Sequence, residues 1–322
     1  MVWIGGGFFE VGSGASYDGR NFARDGVVCV TINYRVGADG FLYVEDGTAD
    51  VGLLDQVAAL EWMRENISAF GGDPGNVTVF GESAGAMSIG TLLAMPRVEG
   101  LFRRAVLQSG AAHHVSPPEV ARQVGEDLAA RLGVPPTREA ITGVPLERLL
   151  RVQAEQKADL MAHPDPIRWG TGLALSGLLW QPVIDGDVVP THPLERIAGG
   201  AAAQIDLLAG TNLDEGRLAL VATEAISQIT PEALVERAAL NGLPVDQALA
   251  AYRQLHPGGA AGDLVAALDT DSGGESPQSG WPTPTRAVPP DLHVRVRLAV
   301  AGLRRPAGRL SRARDPVRVR HP

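Results

Sequence analysis

Residues 76–90 read "NVTVFGESAGAMSIG". Val77, Val79 and Phe80 form a short apolar run, and the small residues from Ala84 onward suit a helix. Gly81 and Gly85 sit at the junction. They permit the tight strand–turn–helix that pushes a serine into a strained, exposed position. The strand is expected to end at Phe80 and the helix to begin near Ala84. Ser83 is therefore a candidate nucleophile. The backbone N–H of Ala84, at the helix start, can donate to a developing oxyanion, and the helix dipole favours negative charge there. Such a serine needs a group to take its proton.

Other apolar runs flank this one: "MVWI", "GVVCVTINY", "RAVLQSG" and "IDLLAGT". They are short, nearly continuous and rich in β-branched residues, as parallel strands buried on both faces are. Helical patterns lie between them. "DVGLLDQVAALEWMRENISAF" places Leu53, Val57, Leu60 and Trp62/Met63 on one side, and "GGDP" stops it. Alternating strands and helices predict an α/β protein with a mostly parallel, doubly wound sheet. Residues 112–178 break the rhythm with charged, proline-punctuated helical sequence, expected as a helical cap insertion. Residues 231–266 are again mostly helical.

The 322 residues, 45% hydrophobic and 20% charged, suit one large domain or two small ones. No run of about 18 uncharged apolar residues occurs, and no zinc or iron–sulfur spacing exists. The single cysteine, Cys29, excludes an internal disulfide and reads as a buried strand residue. The net charge of −9 is unevenly spread. Residues 272–322 hold ten Arg and three acidic residues, a net of +7, so residues 1–271 carry −16. That stretch has no Lys and only Trp281 as an aromatic, a poor set for stacking nucleic-acid bases. The opening "MVWIGGG" starts within an apolar strand and lacks the pattern of a signal peptide; truncation before it is the expectation, with a cytoplasmic location if the true start also has no leader.

"VWIGGGFFEVGSG" supplies a second glycine-rich loop after a strand, a source of further oxyanion donors. Taken with "VTINYRVGADGFL", "GLLDQVAALEWMRENISAFGGDPGNVTVFGESAGA", "GLFRRAVLQSG", "QPVIDGDVVP" and "LLAGTNLDEG", the chain resembles the type-B carboxylesterase family over residues 1–271. That family includes para-nitrobenzyl esterases and cholinesterases. The resemblance implies an α/β-hydrolase fold and a Ser–Glu–His triad hydrolysing carboxylic esters, without cofactor or metal. It maps the nucleophile to Ser83 and the acid to Glu215, with Asp214 as the local competitor. Glu82 resembles a pocket glutamate with a structural or electrostatic role. The oxyanion donors map to Gly6, Gly7 and Ala84. The family carries W-I-H-G-G-G or similar where this chain has Ile4 followed by "GGGFF". An ungapped register puts Gly5 at the aromatic or histidine position and Phe8 at the last small residue; a one-residue loss near Gly5 is the alternative. Gly7 is a donor candidate under both.

The family's histidine lies in a motif like C-H-A-L-E-(I/L)-P-F-V-F. None of His113, His114, His163, His192, His256, His293 and His321 stands in such a motif. An off-frame origin of residues 272–322 accounts for this. Gly280–Thr285 written with GC-ending codons and regrouped by one register encodes "LADAH", similar to the family's "RLADAHA". In the remaining frame, residues 292–300 can encode "YMYEFAWR" and residues 310–322 "CHALEIPFVFDT". Two frame changes are required, near residue 272 and between 286 and 292. The expectation is a serine carboxylesterase domain over residues 1–271, impaired for want of its base, followed by a disordered tail. Its partner is a small carboxylic ester, with neither nucleic acid nor membrane. The alternative is an inactive cholinesterase-like binding protein or a pseudogene product.

Overall fold

The computed structural model describes residues 1–44, 48–272 and 299–301. Its strands are β1 (Val2–Ile4), β2 (Val30–Thr31), β3 (Thr78–Glu82), β4 (Arg104–Gln108), β5 (Asp206–Gly210) and β6 (Ala299–Ala301). Their order is β2-β1-β3-β4-β5-β6. The first five run parallel and β6 is antiparallel to β5. The chain winds one way from β1 to β2 and the other way from β3 to β5, so the topology switches between β1 and β3. In open α/β sheets, ligands bind outside the carboxyl ends of the strands at that point.

Every expected apolar run contributes a strand, because only continuous apolar sequence can be buried on both faces of a parallel sheet. Three details differ. β3 extends two residues beyond Phe80. β2 has only two residues, and Cys29 lies just before it, half-buried, with its thiol pushed up by partial desolvation. Ala299–Ala301 pairs with β5, within a stretch expected to lack regular structure; the rest of that stretch, His293 and His321 included, lies outside the described residues.

The helix Val51–Asn66 buries Leu53, Val57, Leu60 and Met63. Trp62 does not join them. At 3.6 residues per turn it lies about 180° from Leu53, and it is 48% exposed, tilted against Phe70 at 6.0 Å between ring centroids. Each fully buried leucine in this face stabilises the fold by about 1.5–3 kcal/mol.

Between β4 and β5 the insertion forms helices Pro118–Leu132, Arg138–Thr142, Leu146–Ala162, Pro166–Trp169 and Thr171–Ser176. Its two ends meet at a parallel bridge between Ser116 and Val183. Ser116 donates to the Pro182 carbonyl at 2.7 Å, and Ile184 to that of Ser116 at 2.9 Å. Arg131 and Arg168 both reach Asp159, at 2.5 and 2.8 Å, and hold its carboxyl down at about 2. Helix Leu146–Ala162 fastens the insertion to the sheet side. Its Lys157 pairs with Glu10 at 2.8 Å, and its Gln153 accepts from the Ala38 N–H at 2.8 Å.

The main core joins sheet and insertion. A separate cluster forms where helices Pro231–Leu240, Val245–Leu255 and Ala261–Ser272 meet, through Leu234, Ala238, Leu249, Leu264, Val265 and Leu268.

Candidate active site

Ser83 follows β3 directly and precedes the helix Ala84–Leu92, with φ 53 and ψ −124. A non-glycine residue in such a conformation costs on the order of 1–3 kcal/mol and persists only where its surroundings over-determine it. Here they do. Ser83 donates its N–H to the Gln108 carbonyl at 2.9 Å, and its own carbonyl accepts from Met87 at 2.9 Å. A Cβ on Gly85 would stand 2.0 Å from the Ile4 oxygen, on Gly81 2.7 Å from the same atom, and on Gly110 2.7 Å from the Ser83 oxygen. The glycines are needed for close approach of three backbones around one serine.

The strand register levels Ile4 with Gly81, Glu82 with Gln108, and Gln108 with Gly210. The residues that follow these strands therefore emerge at one carboxyl edge. They are the glycine loop from Gly5, Ser83, Ser109 and the Thr211–Glu215 turn. Gly6 is buried and packs on Ser83: a Cβ there would be 3.1 Å from Ser83 Cβ and 2.7 Å from the Glu82 backbone oxygen. Gly7, at φ 125, makes the turn, and its carbonyl accepts from Glu10 and Val11 at 2.9 and 3.0 Å. Ala84 heads its helix, where the first N–H groups have no intrahelical acceptor. Phe8 and Phe9 continue the loop at φ 58 and 59; Phe8 is exposed, and Phe9 is buried edge-on to Phe41.

Glu215 is half-buried, and its carboxylate is held from two sides. Asn212 donates its backbone N–H to Oε1 at 3.1 Å and its Nδ2 to Oε2 at 3.0 Å. Ser109 adds a hydroxyl. Burial alone would raise the carboxyl, but these hydrogen bonds outweigh it and hold it below its ordinary range. The next residue, Gly216, donates to Thr270 Oγ1 at 3.0 Å, which ties the turn to helix Ala261–Ser272. Asp214 is exposed. Glu82 is raised by partial burial and by the charge of Glu215, so the two carboxyls share one neighbourhood.

Ser109 and Asn212 were not singled out by sequence. Ser109 had a signal: in "LQSG" a serine again follows a strand directly, one strand later than Ser83.

The described histidines have other surroundings. His114 is buried with its ring 4.0 Å from that of His113, and burial together with that neighbour pushes it well below its ordinary value. His163 reaches Asp159 at 3.2 Å. His192 caps the helix Pro193–Ala198, and His256 ends Val245–Leu255. Among the described residues, no group of three or more His, Cys, Asp or Glu is placed to hold a metal, and no helix is long and apolar enough to cross a membrane.

The chain is 45% identical over 244 residues to the para-nitrobenzyl esterase of Bacillus subtilis, covering 73% of this chain and 48% of that protein. It is 41% identical to cholinesterase 1 of Branchiostoma lanceolatum, covering 69% and 63%. Human bile salt-activated lipase is 38% identical over 68% of this chain and 30% of its own length. Relative to the para-nitrobenzyl esterase, the chain spans about half the length. A crystal structure of a Geobacillus stearothermophilus carboxylesterase superposes with TM-score 0.72 at 38% identity, covering 84% of this chain and 55% of the other. A thermophilic PNB esterase gives 0.65 at 38% identity, covering 84% and 54%. The fold is that of the α/β-hydrolases. The model of the carboxylesterase family matches residues 1–246, and with the strand–Ser83–helix turn and parallel sheet in place, the chain belongs to that family.

Proposed function

We propose that the site is built for hydrolysis of small carboxylic esters through an acyl-enzyme on Ser83. The observation that carries this reading is the strained Ser83 turn with Gly6 packed against it. Ser83 Oγ attacks the ester carbonyl carbon, and the carbonyl electron pair moves to oxygen. The N–H groups of Ala84 and of the Gly6–Gly7 loop stabilise that charge. Collapse expels the alcohol and leaves acyl-Ser83, which water cleaves by the same steps. Glu215 orients and stabilises the imidazolium of the base that carries the proton between these steps.

In this chain the base is missing from its family motif, so turnover is impaired. Loss of a triad base costs several orders of magnitude and leaves the oxyanion and binding effects. On a short-chain p-nitrophenyl ester the rate is expected near background, barely changed by Ser83→Ala. Robust turnover abolished by Ser83→Ala would require a histidine of this chain to act as base and would refute the impairment. A binding protein without turnover is the second reading, favoured by the same missing motif. It predicts that an ester analogue binds equally well to the Ser83→Ala chain and that no reagent forms a covalent bond to Ser83.

A further inference from the structure

Tyr34 lies just beyond β2, outside the catalytic set, yet its hydroxyl donates to the Gly5 carbonyl at 2.7 Å. That carbonyl belongs to the peptide whose other end is the Gly6 N–H. A trans peptide is planar and carries its C=O and N–H on opposite edges, and no cis bond occurs among the described residues. Fixing the oxygen therefore fixes the direction of the N–H. The hydroxyl is itself held from behind. Ser88, on the helix that starts beside the nucleophile, stands near enough to Tyr34 to oppose the rise of its phenol, and the buried Gln56 Nε2 donates to Ser88 Oγ at 3.1 Å. Gln56 and Ser88 are both fully buried.

The groups lie in one line: Gln56 N–H donates to Ser88, Ser88 neighbours the Tyr34 hydroxyl, and Tyr34 O–H donates to the Gly5 carbonyl. Each donor in such a chain polarises the next. A carbonyl that accepts a hydrogen bond makes the N–H of its own peptide a stronger donor. The chain links helix Val51–Asn66, the helix Ala84–Leu92 that follows Ser83, and the glycine loop.

We propose that Tyr34 is a positioning residue for the oxyanion donor, orienting and polarising the Gly6 N–H through the Gly5–Gly6 peptide. The proposal rests on the esterase reading of Ser83. Burial raises the Tyr34 phenol far above its ordinary value, so the hydroxyl keeps its proton at neutral pH.

The test is Tyr34→Phe in the full chain, with Ser88→Ala as a second variant that keeps the Tyr34 ring and hydroxyl. Two signals are read. One is the Gly5 carbonyl carbon and Gly6 amide proton resonances in the ligand-free protein, with Gly110 and Gly133 as references. The other is the affinity of a short alkylboronic acid for Ser83, whose tetrahedral adduct places an oxygen where the oxyanion forms, with Ser83→Ala as control. Tyr34→Phe is expected to move both resonances upfield, leave the references in place and weaken the adduct by about 10-fold, less than loss of a direct donor. Ser88→Ala is expected to do the same to a smaller extent. Unmoved Gly5 and Gly6 resonances overturn the proposal, as does an adduct affinity equal to that of the unsubstituted chain. If the unsubstituted chain forms no Ser83-dependent adduct, the esterase reading fails and this proposal with it; the ligand-free resonances tell that failure from the others.

Discussion

Ser83 and Ser109 leave neighbouring parallel strands at the same positive φ, 53 at both. Each donates its N–H to the carbonyl ending the next strand, Gln108 for Ser83 at 2.9 Å and Gly210 for Ser109 at 2.8 Å. The parallel ladder is thereby carried one residue further while the side chains are turned out at the sheet edge. One serine is the candidate nucleophile and the other holds the candidate acid. Two strained residues side by side cost on the order of 2–6 kcal/mol together, which the surrounding backbone must offset.

Ser109→Ala removes a hydroxyl from Glu215 while leaving Asn212 and the burial of the carboxyl in place. The Glu215 carboxyl is expected to titrate higher than in the unsubstituted chain, read by carbon NMR of the side chain. The folded carboxyl now titrates below its unfolded value, so its contribution to stability is present above about pH 4.3 and is lost as pH falls through the folded value. The variant should unfold at lower urea than the parent at pH 7, with the gap narrowing toward pH 3. An unchanged Glu215 titration would show that Ser109 does not hold the acid.

Asp50 begins helix Val51–Asn66 at φ 56, fully buried. Its Oδ1 accepts from the Val183 N–H at 2.9 Å, while Oδ2 has no partner. Burial raises its carboxyl well above the ordinary value, the Val183 bond opposes this, and the charge of Asp185 adds to it. A raised folded value means that stability is full below about pH 3.9 and declines as pH rises toward the folded value. Asn keeps the acceptor and tolerates a left-handed backbone. Asp50→Asn is therefore expected to stabilise the protein at pH 7 by about 1–3 kcal/mol and to change little near pH 4. Urea unfolding at both pH values decides it; a variant less stable at pH 7 would show that the ionised form has a partner.

Gly85→Ala and Gly71→Ala separate close approach from backbone freedom. A Cβ on Gly85 would lie 2.0 Å from the Ile4 oxygen, so strand and helix must part. The cost is expected to reach at least about 3 kcal/mol, with loss of the Ser83 turn. Gly71 has φ 79 and open space around it, so its substitution should cost only about 1 kcal/mol. Thermal unfolding of the two variants checks the order; a mild Gly85→Ala would mean that the backbones can separate without losing the turn.

The off-frame reading of residues 272–322 has a direct check in the gene. Resequencing is expected to show one insertion or deletion near codon 272 and another between codons 286 and 292. Correcting both should produce a C-H-x-L-E-like motif across Leu310–Arg314. The corrected protein should hydrolyse p-nitrophenyl esters, and replacing the restored histidine should remove that activity. If no register around codon 310 encodes a histidine, the proton acceptor for Ser83 must be sought elsewhere.

The sequence by itself determined five of the six described strands and the strand–turn–helix at Ser83, and it pointed to Glu215 as the candidate acid. Those features are written in neighbouring residues: apolar runs, glycines at fixed offsets from Ser83, and "GTNLDEG" after a strand. Helical spacing likewise set Leu53, Val57, Leu60 and Met63 on the buried face, but it also put Trp62 there, which instead lies on the opposite side of the helix and is largely exposed. Tertiary structure alone decided which distant groups meet. Tyr34 reaches Gly5 across 29 residues, Asn212 reaches Ser109 across 103, and Asp50 reaches Val183 across 133. Hydrogen bonds of this kind have no local pattern in the chain. They exist because the parallel register brings strand ends level and because backbone groups buried there must find partners wherever the fold places them.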